Sequence, residues 1–221
     1  MIKACIFDMD GVIVDSAKYH FLAWQRLAAD LSITFTEEDN EKLKGLSRVD
    51  SLERILEKGD LQLDNDTKLA LMDQKNQWYL ESIKEMKPEE VLPGVREFLV
   101  SLQENGIGIA LGSSSKNAQL ILEKCNLTTF FKSVIDGNKV TFSKPDPEVF
   151  LKGASELNVS PKDTVVFEDA IAGVAAANSG GFFSVGIGDA ASLTEARIVI
   201  PGFENFTLSA LQSIVEDQQN N

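Results

Sequence analysis

The sequence has 221 residues, 43% hydrophobic and 25% charged, which is typical of a globular protein with one substantial core and room for a small appended unit. Its formal net charge of −13 argues against a nucleic-acid partner, because a polyanion would be repelled, although a small phosphate ligand needs only a locally positive pocket. No apolar run is long enough to cross a membrane and the N-terminus lacks a secretory signal pattern, so we expect a cytoplasmic protein in which Cys5 and Cys125 are buried free thiols.

The chain begins with a short apolar run, residues 1–7, that predicts a buried strand of a parallel sheet. Asp8 and Asp10 follow it, and because residues two apart in an extended chain point to the same side, both carboxylates face one small volume. Two like charges this close are costly unless a cation or a proton lies between them, and Gly11 lets the chain turn away at once. The stretch suits a hard cation such as Mg²⁺ and a phosphate, although a solvated turn is the alternative for this motif alone.

A helical region without a convincing strand follows, from residue 16 to about residue 87. Its first helix, about 16–31, has Ser16 or Asp15 as its N-cap and carries His20 and Trp24 along one face. His20 is the only histidine of the chain. A lone histidine on such a face is more often a packed bystander, but its closeness to the aspartate pair favours a functional role.

The helical region is interrupted at residues 43–51, where Gly45 breaks the pattern and Ser47 can cap the next helix. Lys44 and Arg48 place two cations beside this break, which is either an ordinary connection with solvated bases or part of a site. A third helix, about 66–85, contains Lys75. The whole insertion is similar in form to a small cap domain.

A Pro-Gly linker at residues 90–94 returns the chain to a pattern of strands alternating with helices, which predicts a doubly wound parallel sheet. We therefore expect a core domain of residues 1–15 and 92–221 and a helical cap domain of residues 16–91. Further strands are predicted at 107–111, 133–136, 164–167, 182–187 and 197–200, with a closing helix after Thr207 and a frayed tail at 218–221.

Polar residues follow three of these later strands. After the second strand comes a loop that opens a helix, where hydroxyls and free backbone amides can cradle an anion or simply cap the helix; it consists of Ser113, Ser114, Ser115, Lys116 and Asn117. Lys144 stands before a proline on a stiff loop and can supply a fixed positive charge. Glu168 and Asp169 end another strand, where they can serve as Mg²⁺ ligands or, for Asp169, as a helix cap.

Taken in chain order, Asp8-x-Asp10-Gly11, Ser113, Lys144 before proline and Glu168-Asp169 resemble the signature of the haloacid dehalogenase superfamily. The resemblance covers essentially the whole chain. It implies an α/β fold, with a doubly wound, Rossmann-like parallel-sheet core and an inserted all-helical cap domain. It also implies an Mg²⁺-dependent phosphotransferase whose first aspartate is phosphorylated.

Residues 19–24, 43–51 and 114–117 are further similar to the β-phosphoglucomutase family, which interconverts β-D-glucose 1-phosphate and glucose 6-phosphate through β-glucose 1,6-bisphosphate. This chain has Ser16 where relatives often have threonine, and Gly112 where alanine is frequent. The resemblance implies a hexose phosphate substrate and a monomer. A sugar-phosphate phosphatase on the same core is the alternative, while a non-catalytic phosphate sensor is disfavoured because binding alone needs no nucleophile.

The same resemblance implies a role for each matching residue. Asp8 would be the nucleophile and Asp10 the general acid and base, and Mg²⁺ would be held by Asp8, the Asp10 carbonyl, Asp169 and, directly or through water, Glu168. His20 would couple cap closure to Asp10. The phosphate ligands would be Ser113, Asn117 and Lys144 for the transferring group, and Arg48 with Ser115 and Lys116 for the far one. The sugar pocket would be lined by Trp24, Lys44, Gly45, Leu46, Ser51 and Lys75.

Overall fold

The computed structural model describes residues 1–219, and its centre is a sheet of six strands. Numbered along the chain, they are β1 (Ala4–Phe7), β2 (Gly108–Gly112), β3 (Ser133–Ile135), β4 (Thr164–Glu168), β5 (Phe183–Ile187) and β6 (Ile198–Ile200). Their order across the sheet is β3-β2-β1-β4-β5-β6, and every neighbouring pair is parallel. The predicted doubly wound parallel sheet is confirmed.

Besides three single-turn 3-10 helices, nine α-helices are found in the described part of the chain. They are α1 (Ala17–Asp30), α2 (Glu37–Glu41), α3 (Arg48–Lys58), α4 (Asn65–Ile83), α5 (Val95–Glu104), α6 (Ala118–Lys124), α7 (Glu148–Glu156), α8 (Ile171–Ser179) and α9 (Leu208–Gln219). The ends of α1 and α4 lie within two residues of the predicted 16–31 and 66–85, and α9 begins directly after Thr207, as predicted. Of the tail predicted to fray, Gln218 and Gln219 continue α9, whereas Asn220 and Asn221 lie outside the described residues.

β1 lies at the middle of the sheet, which explains why its flanking residues can reach so many others. In register, Phe7 pairs with Leu111 of β2 and Phe167 of β4, so the three strands end at the same edge. Phe7 and Phe167 stack with ring centroids 4.8 Å apart, and Phe98 and Phe203 pack around them. Whatever follows Phe7 and Phe167 is therefore held against a well-packed core.

The four helices α1 to α4 form an insert between β1 and α5, which we call the helical insert (residues 17–83). It has an apolar cluster of its own, in which Trp24 and Leu27 of α1 pack with Leu52 and Ile55 of α3 and with Met72 of α4. Residues 17–83 contain no strand, as predicted. Helix caps at Thr36, Ser47 and Asp64 fix where α2, α3 and α4 begin.

Two adjacent linkers join the helical insert to the sheet. Val14 and Val91 form an antiparallel bridge between them, and the amide of Asp15 donates to the Glu90 carbonyl at 3.2 Å. The Glu90 carboxylate then accepts a hydrogen bond from Tyr19 at 2.5 Å, at the start of α1. The two chain crossings are therefore bonded to each other and to the start of α1.

The two cysteines are as predicted. Cys5 and Cys125 are both buried and free, and burial raises the pKa of the Cys125 thiol to about 11. Across residues 1–219, none of the helices combines the length and apolarity that crossing a membrane requires.

Candidate active site

A cavity of about 380 Å³ lies between the carboxyl edge of the sheet and the helical insert. It brings together residues that are more than 100 positions apart in sequence, such as Asp8 and Lys144. Of the residues predicted to form the site, Glu168 alone is not part of the lining. The others line it: Asp8, Asp10, His20, Trp24, Lys44, Gly45, Leu46, Arg48, Ser51, Lys75, Ser113, Ser114, Ser115, Lys116, Asn117, Lys144 and Asp169.

Asp8 is held by a buried lysine. Lys144 Nζ lies 2.5 Å from Asp8 Oδ1 and 2.5 Å from Glu168 Oε1, and its side chain is 1% exposed. Burial alone would lower the pKa of Lys144, but the charges of Asp8 and Glu168 more than offset it and raise that pKa, so Lys144 stays charged. Asp8 Oδ2 accepts no hydrogen bond from residues 1–219, and this carboxylate lines the cavity. One oxygen is thus fixed and the other can react.

Glu168 has both of its carboxylate oxygens engaged. Oε1 accepts from Lys144, and Oε2 accepts from the backbone amide of Ala170 at 2.8 Å. The side chain is fully buried beneath α8, where a Cβ on Gly173 would overlap it. Burial raises the pKa of Glu168 to about 7, while the charge of Lys144 acts in the opposite direction. In this arrangement Glu168 orients Lys144.

Asp10 is held from the opposite side, by the start of the helical insert. Its Oδ1 accepts a hydrogen bond from the hydroxyl of Ser16. Ser16 occupies the predicted N-cap position of α1 but makes no capping hydrogen bond with its side chain. Burial and the charge of Asp8 raise the pKa of Asp10 to about 6, although the Ser16 hydrogen bond lowers it. A carboxyl group with this pKa can give or take a proton near neutral pH.

His20 lies between Asp10 and Lys75. Lys75 Nζ is 3.0 Å from His20 Nδ1, and His20 Nε2 is 3.9 Å from Asp10 Oδ2, which is too far for a hydrogen bond. Burial, Lys75 and Arg48 lower the pKa of His20 well below its usual range, so the ring is neutral. A neutral ring that accepts from Lys75 at Nδ1 carries its proton on Nε2, and that atom is buried without a partner among the described residues.

Lys75 itself is almost fully buried, at 2% exposure, against aromatic rings. Its Nζ lies 4.5 Å from the centre of the Trp24 ring and 4.8 Å from that of Tyr79. Burial and the charge of Arg48 lower the pKa of Lys75 to about 7, against a smaller opposite effect of Asp10. Tyr79 also lines the cavity. It was not among the predicted site residues, because it lies on a helix face that carries no motif.

Asp169 lies close to the other carboxylates of this edge, Asp8 and Glu168. Burial, Glu168 and Asp8 raise its pKa well above the usual range, and Lys44 Nζ, 3.6 Å from Oδ2, offsets this in part. The Asp169 side chain packs directly against the backbone of Gly11. Only glycine fits there, because its φ is +80° and a Cβ would lie 2.2 Å from Asp169 Oδ2. Carboxylates crowded in this way favour a bound cation.

The donor set fits Mg²⁺. Within residues 1–219, no three His, Cys, Asp or Glu side chains are arranged as a complete metal cage. Mg²⁺ does not need one, because it usually keeps several waters and takes one or two carboxylates together with oxygens of a phosphate. Asp8 and Asp169 supply two such carboxylates on the cavity wall.

The loop after β2 is organised by its own hydroxyls. Ser113 Oγ accepts from the amide of Ser115 at 3.1 Å, and Ser115 Oγ accepts from the amide of Asn117 at 3.2 Å. Ser114 instead points across the cavity and donates to the carbonyl of Gly45 at 2.9 Å. This loop therefore touches the helical insert while it lines the cavity.

Arg48 and Asn117 meet at a residue that the sequence did not single out. Arg48 Nη2 and Asn117 Nδ2 both donate to Asn76 Oδ1, at 2.8 Å and 2.9 Å. Asn76 directly follows Lys75 on α4 and lines the cavity. Burial lowers the pKa of Arg48, and Asp73 acts against this effect.

Comparison with known proteins finds a matching family model and several similar proteins. Residues 2–181 match the model of the haloacid dehalogenase-like hydrolases. The chain is 42% identical to a β-phosphoglucomutase of Bacillus subtilis over 211 residues, which is 95% of this chain and 93% of the relative. It is 32% identical to a phosphorylated carbohydrates phosphatase of Thermotoga maritima, over 89% of this chain and 92% of that one. A crystal structure of β-phosphoglucomutase from Clostridium difficile superposes with a TM-score of 0.96 at 38% identity and full coverage of both chains.

Proposed function

The chain belongs to the haloacid dehalogenase-like hydrolase family, and within that family we propose that it works as a β-phosphoglucomutase. It interconverts β-D-glucose 1-phosphate and glucose 6-phosphate through a phosphorylated aspartate and β-glucose 1,6-bisphosphate. The observation that carries this function is the pair Asp8 and Asp10, which face one cavity yet are held by different partners. One carboxylate is arranged to be a nucleophile and the other to exchange a proton.

Asp8 is the nucleophile of the proposed reaction. Its free oxygen forms a bond to the phosphorus of the bisphosphate, the bond from that phosphorus to the sugar oxygen breaks, and the sugar oxygen takes a proton from Asp10. This half releases glucose 6-phosphate when the phosphoryl group comes from C1. In the second half, a β-glucose 1-phosphate binds and Asp10 removes the proton from its 6-hydroxyl, so that the bisphosphate is formed again. That oxygen then attacks the phosphorus and releases the Asp8 carboxylate. A pKa of about 6 allows Asp10 to serve in both directions.

Lys144 supports this chemistry from the core. Its buried, charged side chain lies beside Asp8, where negative charge develops on the phosphoryl oxygens during transfer, and it stabilises that charge. Ser113 and Ser114 belong to the same part of the cavity wall. Members of this family generally use Mg²⁺, and Asp8, the Asp10 carbonyl and Asp169 would hold it here, where it neutralises phosphate charge. The resemblance also makes Glu168 an Mg²⁺ ligand, directly or through water. Because Lys144 and the Ala170 amide engage both of its oxygens, we propose that Glu168 acts on this site through Lys144.

The helical insert, together with the flanking residues within 16–91, serves as the cap domain over a core of residues 1–15 and 92–221. An aspartyl phosphate is hydrolysed when water reaches it, so a mutase must enclose it while the sugar turns over. Ser114 and Asn117 on the sheet side already bond to Gly45 and Asn76 of the insert. The sugar pocket is formed by Trp24, Lys44, Gly45, Leu46, Ser51 and Lys75.

His20 links closure of this cap to Asp10. Its Nε2 needs to approach Asp10 by only about 1 Å to form a hydrogen bond, and Lys75 holds the ring from behind. A hexose phosphate that closes the cap completes this contact, whereas water does not. The enzyme thereby discriminates sugar from water by induced fit.

Arg48, together with Ser115 and Lys116, binds the phosphate that is not being transferred. The family resemblance places Asn117 on the transferring phosphate; because Asn117 shares an acceptor with Arg48, we assign it to the other phosphate instead. Arg48 is partly buried and forms no ion pair within 4.0 Å among residues 1–219, so its charge is available to a ligand. Asn117 lies next to it because the two share an acceptor.

An assay of the purified protein with β-glucose 1-phosphate, Mg²⁺ and a catalytic amount of β-glucose 1,6-bisphosphate tests the function. We expect glucose 6-phosphate as the product, with little inorganic phosphate. The relative named a phosphorylated carbohydrates phosphatase makes hydrolysis the second candidate. If most of the phosphate goes to water while sugar is saturating, the chain is a phosphatase and the mutase proposal fails.

A further inference from the structure

Asn76 is the one side chain of the cavity wall whose oxygen is shared by a donor from each side of the cleft, among the hydrogen bonds of residues 1–219. Arg48 comes from the N-terminus of α3 in the helical insert, and Asn117 comes from the loop that opens α6 at the sheet edge. Asn117 does not use its side chain to cap α6. The side-chain amide of Asn117 therefore makes the contact with Asn76 across the cleft.

The two bonds to Asn76 leave most of the donors free. A guanidinium has five N–H groups and a side-chain amide has two, and Asn76 takes one from each of its partners. The remaining N–H groups of Arg48 and Asn117 are held at a fixed spacing on the cavity wall. Donors that are already ordered bind an anion better, because less side-chain entropy is lost on binding.

We propose that Asn76 is a positioning residue for the phosphate that is not being transferred, because it aligns Arg48 and Asn117 across the cleft on one shared oxygen. This inference rests on the proposed function for the identity of the ligand, a hexose phosphate. Asn76 need not touch that ligand; it acts through its two partners and at the same time ties the helical insert to the sheet edge.

The variant Asn76→Ala removes the shared oxygen at a half-buried position of a helix, where alanine is well tolerated. We expect the KM for β-glucose 1-phosphate to rise by roughly threefold to tenfold, while kcat stays within about twofold. Phosphorylation of Asp8 by acetyl phosphate, which has no second phosphate, should proceed at the wild-type rate. Gln77→Ala, at the exposed neighbour on the same helix, is the matched control and should change none of these quantities.

A double-mutant cycle with Arg48→Ala separates positioning from direct contact. If Asn76 acts through Arg48, the added effect of Asn76→Ala on KM in the Arg48→Ala background falls to less than about half of its effect alone. An undiminished effect there means that Asn76 binds the phosphate itself, and it overturns the proposal. Equal losses with hexose phosphate and acetyl phosphate, together with a lower melting temperature, identify a merely structural role and also overturn it.

A ligand-free measurement keeps this test independent of the proposed function. Spin labels at Glu57 in α3 and Lys132 beside β3, both exposed, report the distance between the helical insert and the sheet. We expect the distance distribution to broaden toward longer distances in Asn76→Ala and to stay unchanged in Gln77→Ala. A protein that does not isomerise β-glucose 1-phosphate refutes the function alone, whereas an unchanged distribution in Asn76→Ala refutes the tie across the cleft.

Discussion

Asp8 and Asp10 lie two residues apart at the end of one strand, but they depend on different halves of the molecule. Asp8 is bound by Lys144, which comes from a loop of the sheet domain and is itself held by Glu168. Asp10 is bound by Ser16 and approached by His20, both at the start of the helical insert. The residues that hold Asp8 thus belong to the core, whereas those around Asp10 belong to the entry into the insert.

This difference fits the two tasks that we propose for the two carboxylates. A nucleophile must be in place for every phosphoryl transfer, whatever the acceptor, so a rigid support suits Asp8. A general acid and base that is completed only when the insert closes distinguishes a sugar hydroxyl from water. The predictions below test whether changes on the two sides affect different steps, in order of decreasing expected effect.

The largest effect is expected for Asp8→Asn, since an amide cannot form an aspartyl phosphate. Turnover should fall by roughly 10⁴-fold or more with both β-glucose 1,6-bisphosphate and acetyl phosphate. Asp10→Asn is the matched control: it should lose turnover with the sugar but still become phosphorylated by acetyl phosphate, because acetate leaves without a proton. Rapid-quench measurement of phosphoenzyme decides this, and phosphorylation of Asp8→Asn would refute the covalent mechanism.

A smaller loss is expected for Lys144→Met, which leaves Asp8 and Glu168 buried without their shared cation. Breaking a buried ion pair by removing one partner costs about 3–5 kcal/mol of stability, and we expect the rate of phosphoryl transfer to fall with both sugar and acetyl phosphate. Adding Glu168→Gln removes one of the two unpaired charges and should recover part of the stability in urea unfolding, but not the activity. Unchanged stability in Lys144→Met would show that the cluster is not a structural support for Asp8.

The strands and their polar ends could be predicted because both signals are local: an apolar run, then a carboxylate, hydroxyl or lysine. The partners of those residues could not. Ser16 has the position of a helix cap, but its hydroxyl donates to Asp10 because the turn at Gly11 brings the chain back. Glu168 has the position of a metal ligand, but a lysine from a distant loop and the amide of Ala170 take both of its oxygens.

The role of Asn76 was even harder to predict from the sequence than these hydrogen-bond partners. It lies on α4, whose apolar residues are spread around the helix, so no periodicity marks the face that lines the cavity. Its two partners come from α3 and from the loop before α6, and only the packing of insert on sheet brings them together. A motif search finds residues of unusual type or spacing, and an asparagine inside a polar helix has neither.

On the side of Asp10, His20→Ala should slow transfer of phosphate from Asp8 to glucose 6-phosphate by roughly tenfold to a hundredfold, while hydrolysis of the phosphoenzyme changes less. The imidazole is neutral and interacts with Asp10 only through Nε2, so its loss affects the step that needs a completed acid and base. His20→Gln, whose amide nitrogen can take the place of Nε2, should retain more activity. The lifetime of phosphoenzyme with and without sugar measures both, and equal slowing of the two reactions would contradict the coupling.

The smallest change is expected for Ser16→Ala, which removes a hydrogen bond that lowers the pKa of Asp10. Without it, that pKa rises above about 6, so less carboxylate is present at a given pH and the acid limb of the profile for transfer to sugar moves to higher pH. We expect a loss of roughly threefold to tenfold at pH 6 that shrinks as the pH rises, because hydrogen bonds to charged groups contribute about 1.5–3 kcal/mol and part of this is lost to water.

Stability gives an independent check on the same group. The folded-state pKa of Asp10 is raised above the unfolded value of about 3.9, so the folded protein binds the proton more tightly and Asp10 makes stability fall as the pH rises from about 4 through 6. Ser16→Ala should steepen this fall and extend it to higher pH, whereas Ser16→Thr keeps the hydroxyl and should follow the wild type. Urea unfolding between pH 4 and 8 measures the slope. A slope unchanged in Ser16→Ala would mean that the Ser16 hydroxyl does not set the proton affinity of Asp10, and that the insert controls Asp10 through His20 alone.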